Sequence, residues 1–473
     1  MAMLVSCGGT KTPTGGETSG SGDSVSGEGT SSSKAEPKFA KEDNGGEAFR
    51  IYAPDWGLYS TYFFADEQNG DQMNDAIYER ERKVEEYLGV NIEYTKKDTI
   101  NEVKGVVNQT IMSSDDSYQL FLTHCIYSVS DMITNNMLYD WNDFEYCDFD
   151  ADYWNQSCMK NLEVGGHNYY AVSDYMLPDP NAILFNKDMV TEFSLENPYE
   201  IVRSGKWTFD KFIQMCSTVT GDLNGDSVMD ENDRYGLGTR GNWWWNSFLY
   251  SSGLHLAKRA DDGTFSLDID NNKMTTLVEK LDQLANKSGD MYKFADNDEE
   301  SKRLTIASGK VLFFDEAVNA LGKYRDTTVE YGILPYPKFD ENQKDYINND
   351  WSGLMCVPVN VGNPELVGKV IELLAFYSGD TTIPAYFNLV LGEKLARDED
   401  SKEMLNIIFD NIIYDPGMNY FGFQENMMNL FYTFGRLVVN EGRADYASWY
   451  AKNASGAETA IEKFNREVVA TEK

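Results

Sequence analysis

The chain has 473 residues, more than a single hydrophobic core usually serves, so two lobes are expected. Its 77 Asp and Glu against 41 Lys and Arg leave a formal net charge of -36; that balance repels phosphate backbones and excludes nucleic acid as a partner. The 41% hydrophobic content is that of a globular protein, and the six Cys form neither a C-x-x-C pair nor a zinc spacing.

The N-terminus reads MAMLVSCGGTKT. Leu4-Val5-Ser6-Cys7 resembles a bacterial lipobox, an aliphatic residue and small residues before the Cys that takes the lipid. Residues 1–7 are therefore expected to be the remnant of a signal peptide, with Cys7 as the lipidation site. Only a fragment of the apolar region such a signal carries precedes it. Residues 8–46 are rich in Gly, Ser, Thr and charge (GGTKTPTGGETSGSGDSVSGEGTSSSKAEPK) and cannot bury a core, which predicts a disordered tether. No later segment approaches the ~18 uncharged apolar residues that cross a bilayer. The expected location is the outer face of a bacterial, Gram-positive cell membrane, held by the lipid alone.

Folded sequence begins near Glu47. AFRIYAP alternates as a strand does. NDAIYERERKVEEYLGV then places Ile77, Val84 and Leu88 on one helical face, with Gly89 suited to close the helix. NIEYTKK alternates again, so the order is strand, helix, strand, the start of a parallel sheet. INEVKGVVNQTIMSS reads as a helix, YQLFLTH as a strand and VSDMITNN as a helix. A second lobe is expected from residue 151, with AILFNKDMV, a helix after KWTF, strands at KVLFFDE and YGILPYP, and helices between 274 and 310. WSGLMCVPVN reads as a further strand and PELVGKVIELLAFYSG as a helix. The fold class is α/β in two discontinuous lobes: 47–150 with 335–395, and 151–334 with 396–473. Cys125, Cys147, Cys158, Cys216 and Cys356 lie in folded sequence and read mostly as buried free thiols, with a Cys147–Cys158 disulfide as the alternative.

MNDAIYERERKVEEYLGV, the Tyr153-Trp154 pair, ILFNKDMV, NPYEIVRSGKWTFDKF, YGILPYPKFDENQKDY and RDEDSKEMLNIIFDN together carry a resemblance. From residue 47 onward the chain is similar to extracellular solute-binding proteins of bacterial ABC importers, of the carbohydrate-binding, maltose-binding-protein-like class. The resemblance implies a periplasmic-binding-protein-like fold, a mixed sheet flanked by helices in each lobe, hinged by crossover segments. It further implies a carbohydrate ligand, an oligosaccharide, held between the lobes, and the membrane permease subunits of the transporter as partners. A monomer is expected.

Three signals stand close together in GDLNGDSVMDENDRYGLGTRGNWWWN, residues 221–246. The first has oxygen ligands at positions 1, 3, 5, 9 and 12 of a loop: Asp222, Asn224, Asp226, Asp230 and Asp233, with the carbonyl of Val228 at position 7. A hard ion such as Ca2+ takes six to eight oxygens from one short loop of this spacing. Position 6 is Ser227 rather than Gly, and position 12 is Asp rather than Glu. A structural Ca2+ site is predicted. The second, Gly236-Leu-Gly-Thr-Arg-Gly241, matches a dinucleotide fingerprint in letters only; it follows the acidic loop rather than a strand. Its glycines are expected to serve a turn.

The third is Trp243-Trp244-Trp245. Neighbours on a helix point about 100° apart, so one buried face cannot take all three. Trp244 and Trp245 are expected at a sugar, whose C–H faces stack on aromatic rings. Trp56 and Tyr59 follow the first strand, at the carboxyl end where open α/β sheets bind ligands. Asp174 with Tyr175, Asp315 with Glu316, and Asp350 with Trp351 complete the candidate ligand set. Trp141, Trp207 and Trp449 are assigned to packing.

No residue pattern assigns a catalytic group. His124 beside Cys125 lies at a strand end, and with 77 acids some carboxylate pair is always close. The expectation is a binding protein and not an enzyme; the alternatives are a surface glycoside hydrolase or a polysaccharide-binding protein without a transport role.

Overall fold

The computed structural model describes residues 36–55, 62–97, 102–124, 129–239, 244–294, 303–350, 353–395, 398–422 and 424–469, without the side chains of 244, 391 and 393–395. Strand β1 (Glu47–Pro54) runs parallel to β2 (Val90–Lys97), in register from Glu47 opposite Val90 to Pro54 opposite Lys97. Between them helix α1 (Gln72–Leu88) buries Met73, Ile77, Val84 and Leu88. Asp71 caps its start by accepting the N–H groups of Met73 and Asn74, and Gly89 ends it at φ 61. Any side chain there would strike Asp43 and Asn44, so this turn needs glycine for its φ and for space alike.

The chain before β1 is clasped to the end of α1. Tyr87 donates to the carbonyl of Phe39 at 2.5 Å, and the Glu42 N–H donates to Tyr87 at 2.9 Å. Lys369, nearly buried, pairs with Glu42 at 2.7 Å.

Helix α2 (Val103–Ser113) leads to β3 (Leu120–Thr123), which lies parallel to β1. The first sheet is completed by β10 (Leu354–Cys356), antiparallel to β3, in the order β10-β3-β1-β2. A second sheet holds β4 (Asn181–Asn186), β5 (Tyr235–Gly238), β6 (Met291–Tyr292), β7 (Val311–Ala317) and β8 (Tyr331–Leu334), in the order β8-β4-β7-β5-β6. There β7, β5 and β6 are parallel, and β4 runs antiparallel to both of its neighbours, β7 and β8. Helix α3 (Phe209–Val219) packs on β5, α4 (Trp244–Ser251) follows β5, α5 (Pro364–Asp380) follows β10, and α6 (Phe434–Glu441) lies in the helical C-terminal part. β9 (Asn348–Asn349) pairs parallel with β11 (Ile412–Ile413). Each sheet is covered by helices, and the result is an α/β architecture of two lobes.

One expectation changes here. Gly236 and Gly238 do not form a turn; they lie inside β5. A Cβ at Gly236 would meet Cys216 of α3, and one at Gly238 would meet the Leu304 carbonyl, so these glycines allow a helix and a loop to press on the strand. Asp315 and Glu316 belong to β7, opposite Ile183 and Ala182. The segment NYYAVSDYM forms bridges and a short 3-10 turn at Asp174–Met176. Cys147, Cys158, Cys216 and Cys356 are free thiols, so Cys147 and Cys158 form no disulfide. Burial pushes the thiols of Cys158, Cys216 and Cys356 up, away from reactivity.

Candidate functional site: the passages between the sheets

The chain leaves the first sheet's side and reaches β4 through residues 174–181. It returns from β8 to β10 through residues 335–353. The two passages touch through an antiparallel bridge between Pro180 and Asp350. The Asp350 carboxylate accepts the Asp179 N–H at 2.8 Å on one oxygen and the Tyr414 hydroxyl at 2.8 Å on the other. Asp179 in turn accepts the Asn319 amide at 2.8 Å. Asn348 donates to the Asn181 carbonyl at 2.6 Å, and Asn181 donates to Ser247 of α4 at 2.7 Å. Asp350, a candidate ligand residue, thus holds the first passage and the segment after β11 against the second. Thin passages held by a few side-chain contacts are where a two-lobe protein bends.

Tyr175 presents no open face to a ligand. It is fully buried, its hydroxyl 2.6 Å from that of Tyr94 on β2, with the Arg80 guanidinium 4.6 Å above its ring and Phe63 against its edge. The first passage is in this way keyed to β2 and α1. Asp174 is half-buried, and burial, with Asp152 nearby, raises its carboxyl to about 7. Asp315 and Glu316 are buried in the strand; Glu316 accepts the Tyr324 hydroxyl at 2.8 Å and the Ala317 N–H at 3.0 Å. They act within the second sheet's packing, because a strand that runs on through both carries their side chains into the core.

Trp245 is also packed rather than open. It is 1% exposed, and its indole lies against the Cα of Gly435 in α6. Trp141 and Trp207 are buried as expected, and the Trp449 indole donates to Asn429 at 2.6 Å. Trp56, Tyr59, Trp243, Trp351 and Cys7 lie outside the described residues, as does the side chain of Trp244. The residues that follow the carboxyl ends of β1, β2, β3, β5 and β6 (56–61, 98–101, 125–128, 240–243 and 295–302) likewise lie outside them.

The acidic loop is closed at its base by paired hydrogen bonds between Gly221 and Arg234, 3.0 and 3.1 Å. Ser227, at position 6, takes φ 66, the left-handed turn that Gly usually supplies there. Asp222 accepts the N–H groups of Gly225 and Ser227 at 2.6 and 2.8 Å, Asp226 that of Val228 at 2.8 Å, and Asp230 that of Asn232 at 2.7 Å. Asp233 accepts from Asp230 and Leu223 at 2.9 and 2.8 Å, and these backbone donors hold its carboxyl below the usual range. The backbone course fits an ion loop. The side chains are turned to the loop's own N–H groups, and among the described residues no three of His, Cys, Asp and Glu are gathered so as to hold a metal.

No protein-family model and no curated protein matches the chain. Solved structures do. The galacto-N-biose/lacto-N-biose I-binding protein of an ABC transporter from Bifidobacterium longum, in complex with lacto-N-biose, is similar over 89% of this chain and 98% of that one, with a TM-score of 0.58 at 13% identity. The ABC substrate-binding protein Lmo0181 from Listeria monocytogenes, in complex with cycloalternan, is similar over 88% and 98%, with a TM-score of 0.55 at 12% identity. The maltose/maltodextrin-binding domain MalE from Bdellovibrio bacteriovorus, bound to maltotriose, is similar over 89% and 100%, with a TM-score of 0.52 at 15% identity. At such identities the likeness is one of fold: the chain has the two-lobe, periplasmic-binding-protein-like architecture. These neighbours are binding proteins rather than enzymes.

Proposed function

We propose that this protein is an extracellular solute-binding protein that captures a carbohydrate, an oligosaccharide, between its lobes and presents it to the permease of an ABC importer. The observation that carries the reading is the construction of the passages: two helix-covered sheets joined by segments pinned at Asp350, in a fold whose solved examples hold sugars. Ligand contacts made from both lobes are complete only when the lobes close, so the ligand shifts that equilibrium. No bond is made or broken. A lipid on Cys7 would hold the protein at the outer membrane face, and the segment after it would act as its tether. Among the described residues no helix is long and apolar enough to cross a membrane.

The acidic loop is proposed as a structural Ca2+ site, with Asp222, Asn224, Asp226, Asp230 and Asp233 and the Val228 carbonyl as its oxygens. Its backbone course supports this; its side chains would have to turn from the loop N–H groups to the ion.

The test is calorimetric titration against gluco-, manno-, xylo- and galacto-oligosaccharides. Saturable binding of one class, with product analysis finding the sugar unchanged, is the expected result. Silence across the panel sinks the reading, and released products favour the glycoside hydrolase instead.

A further inference from the structure

Adjacent on α1, Arg80 and Glu81 are 0% and 1% exposed. The Nη2 of Arg80 donates to the Phe63 carbonyl at 3.3 Å and stands 3.5 Å from Oε1 of Glu81. The Arg80 Nε and Nη1 and the Glu81 Oε1 have no hydrogen-bond partner among the described residues. Glu85, one turn on, shows the contrast: it accepts the Ile92 N–H of β2 at 2.7 Å and pairs with Arg82. A buried carboxylate without such partners holds its proton more tightly. Burial accordingly raises Glu81 from 4.5 to about 8, against the opposing pull of Arg80 and Arg82.

The guanidinium that Glu81 faces also lies 4.6 Å above the ring of Tyr175. Tyr175 belongs to the first passage, and its hydroxyl is 2.6 Å from that of Tyr94. One cation is thus shared between a carboxyl of α1 and an aromatic face on a segment that bends when the lobes close. The sharing is a competition. A protonated Glu81 leaves the charge of Arg80 to the ring, an attraction that desolvation strengthens. An ionised Glu81 draws the guanidinium to itself, because opposite charges in a poorly screened interior attract strongly.

The other groups that bear on Glu81 are Arg82 and Glu85 on its own helix, Tyr94 on β2 and Tyr175. Carboxylates of α5, which packs on α1, are engaged elsewhere: Glu365 with Lys369, and Glu372 with Tyr153 and Trp154. The helix of residues 382–395 also packs on α1 and brings Tyr386, whose hydroxyl donates to the Pro178 carbonyl of the first passage at 3.0 Å.

We infer that the proton on Glu81 sets how firmly Arg80 grips the first passage, so that closure of the lobes is coupled to pH. This rests on the function proposed above.

The experiment is calorimetric titration with the oligosaccharide that the panel identifies, from pH 6 to 9, in buffers of different ionisation enthalpy. Asp174 also titrates in this passage, so each reading is compared with Glu81→Gln, which is fixed in the neutral form. A closure that shifts the affinity of Glu81 for its proton by one pKa unit changes sugar affinity by up to about tenfold between pH 7 and 9. The wild type should show that change and exchange protons on binding near pH 8. Glu81→Gln should lack both. Tyr175→Leu keeps the carboxyl and removes the ring it competes with; it should lack both as well, and it serves if Glu81→Gln fails to fold. Equal pH profiles and equal proton exchange in the wild type and the variant overturn the inference. Wild-type silence across the panel defeats the functional reading instead. The coupling is then read without ligand, by small-angle scattering from pH 6 to 9. A radius of gyration that changes in the wild type but not in Glu81→Gln supports it, and the same behaviour in both overturns it.

Discussion

The Tyr414 hydroxyl donates to the Asp350 carboxylate at 2.8 Å, joining residues 64 positions apart at the point where the passages between the sheets meet. The other oxygen of Asp350 is held by the Asp179 N–H. Tyr414→Phe keeps the ring and removes only the donor. A hydrogen bond to a charged group contributes about 1.5–3 kcal/mol, so urea titration should show a loss of that order. Ligand affinity should shift as well, because the bond acts where closure bends the chain. An unchanged unfolding midpoint would mean that the tie does not hold these segments.

Gly435 and Trp245 form a second long-range pair. A Cβ at position 435 would stand 2.0 Å from the nearest indole atoms. Overpacking of a buried site costs about 1–3 kcal/mol, and Gly435→Ala should lower the melting temperature accordingly. Adding Trp245→Leu should recover part of the loss, since contacting residues are not additive. Calorimetric melting of both single variants and the double variant decides it; strict additivity would refute the contact.

Asp174 predicts a pH dependence. Burial and Asp152 raise its carboxyl from 3.8 to about 7, so the folded state binds this proton more tightly than the unfolded chain does. The linkage sign follows: stability is highest below the unfolded value and falls as pH rises from about 4 to about 7. Asp174→Asn, which cannot ionise, should lack that fall. Melting temperatures across pH 4 to 8, taken as wild type minus variant, should decline through this window; a flat difference would remove the shift.

Chelation tests the acidic loop. A weak ion site stabilises by mass action whenever the ion exceeds its dissociation constant. EDTA should lower the melting temperature and Ca2+ restore it, while Asp222→Ala together with Asp226→Ala should abolish the response. A wild type indifferent to EDTA and Ca2+ would leave the loop as a turn held by its own hydrogen bonds.

Much of the fold was legible because it is local. Ile77, Val84 and Leu88 face one way on α1 because a helix repeats every 3.6 residues, and Gly89 ends it because only glycine takes φ 61 freely. β1 and β2 alternate, and they pair where that alternation placed them. The surroundings of the candidate residues are less legible, because their partners lie far away in the chain. Asp350 stands in the candidate ligand set, but nothing along the chain marks it as the acceptor for Asp179 and Tyr414. Asp315 and Glu316 look like a strand's polar end, yet the ladder to β4 carries β7 through them.

The sequence by itself determined the two-lobe α/β class, the segments that become strands and helices, and the acidic loop. The two lobes follow from the length of the chain; the elements and the loop follow from periodicity, capping or spacing within a short stretch. Only the tertiary structure decided which aromatic rings are packed, which glycines admit a neighbour, and which carboxylate ties the passages together. Those outcomes depend on partners far apart in the chain, such as Asp179 with Asp350 and Trp245 with Gly435. A pattern along the chain states which side of an element is apolar or polar, and not what will come to lie against it.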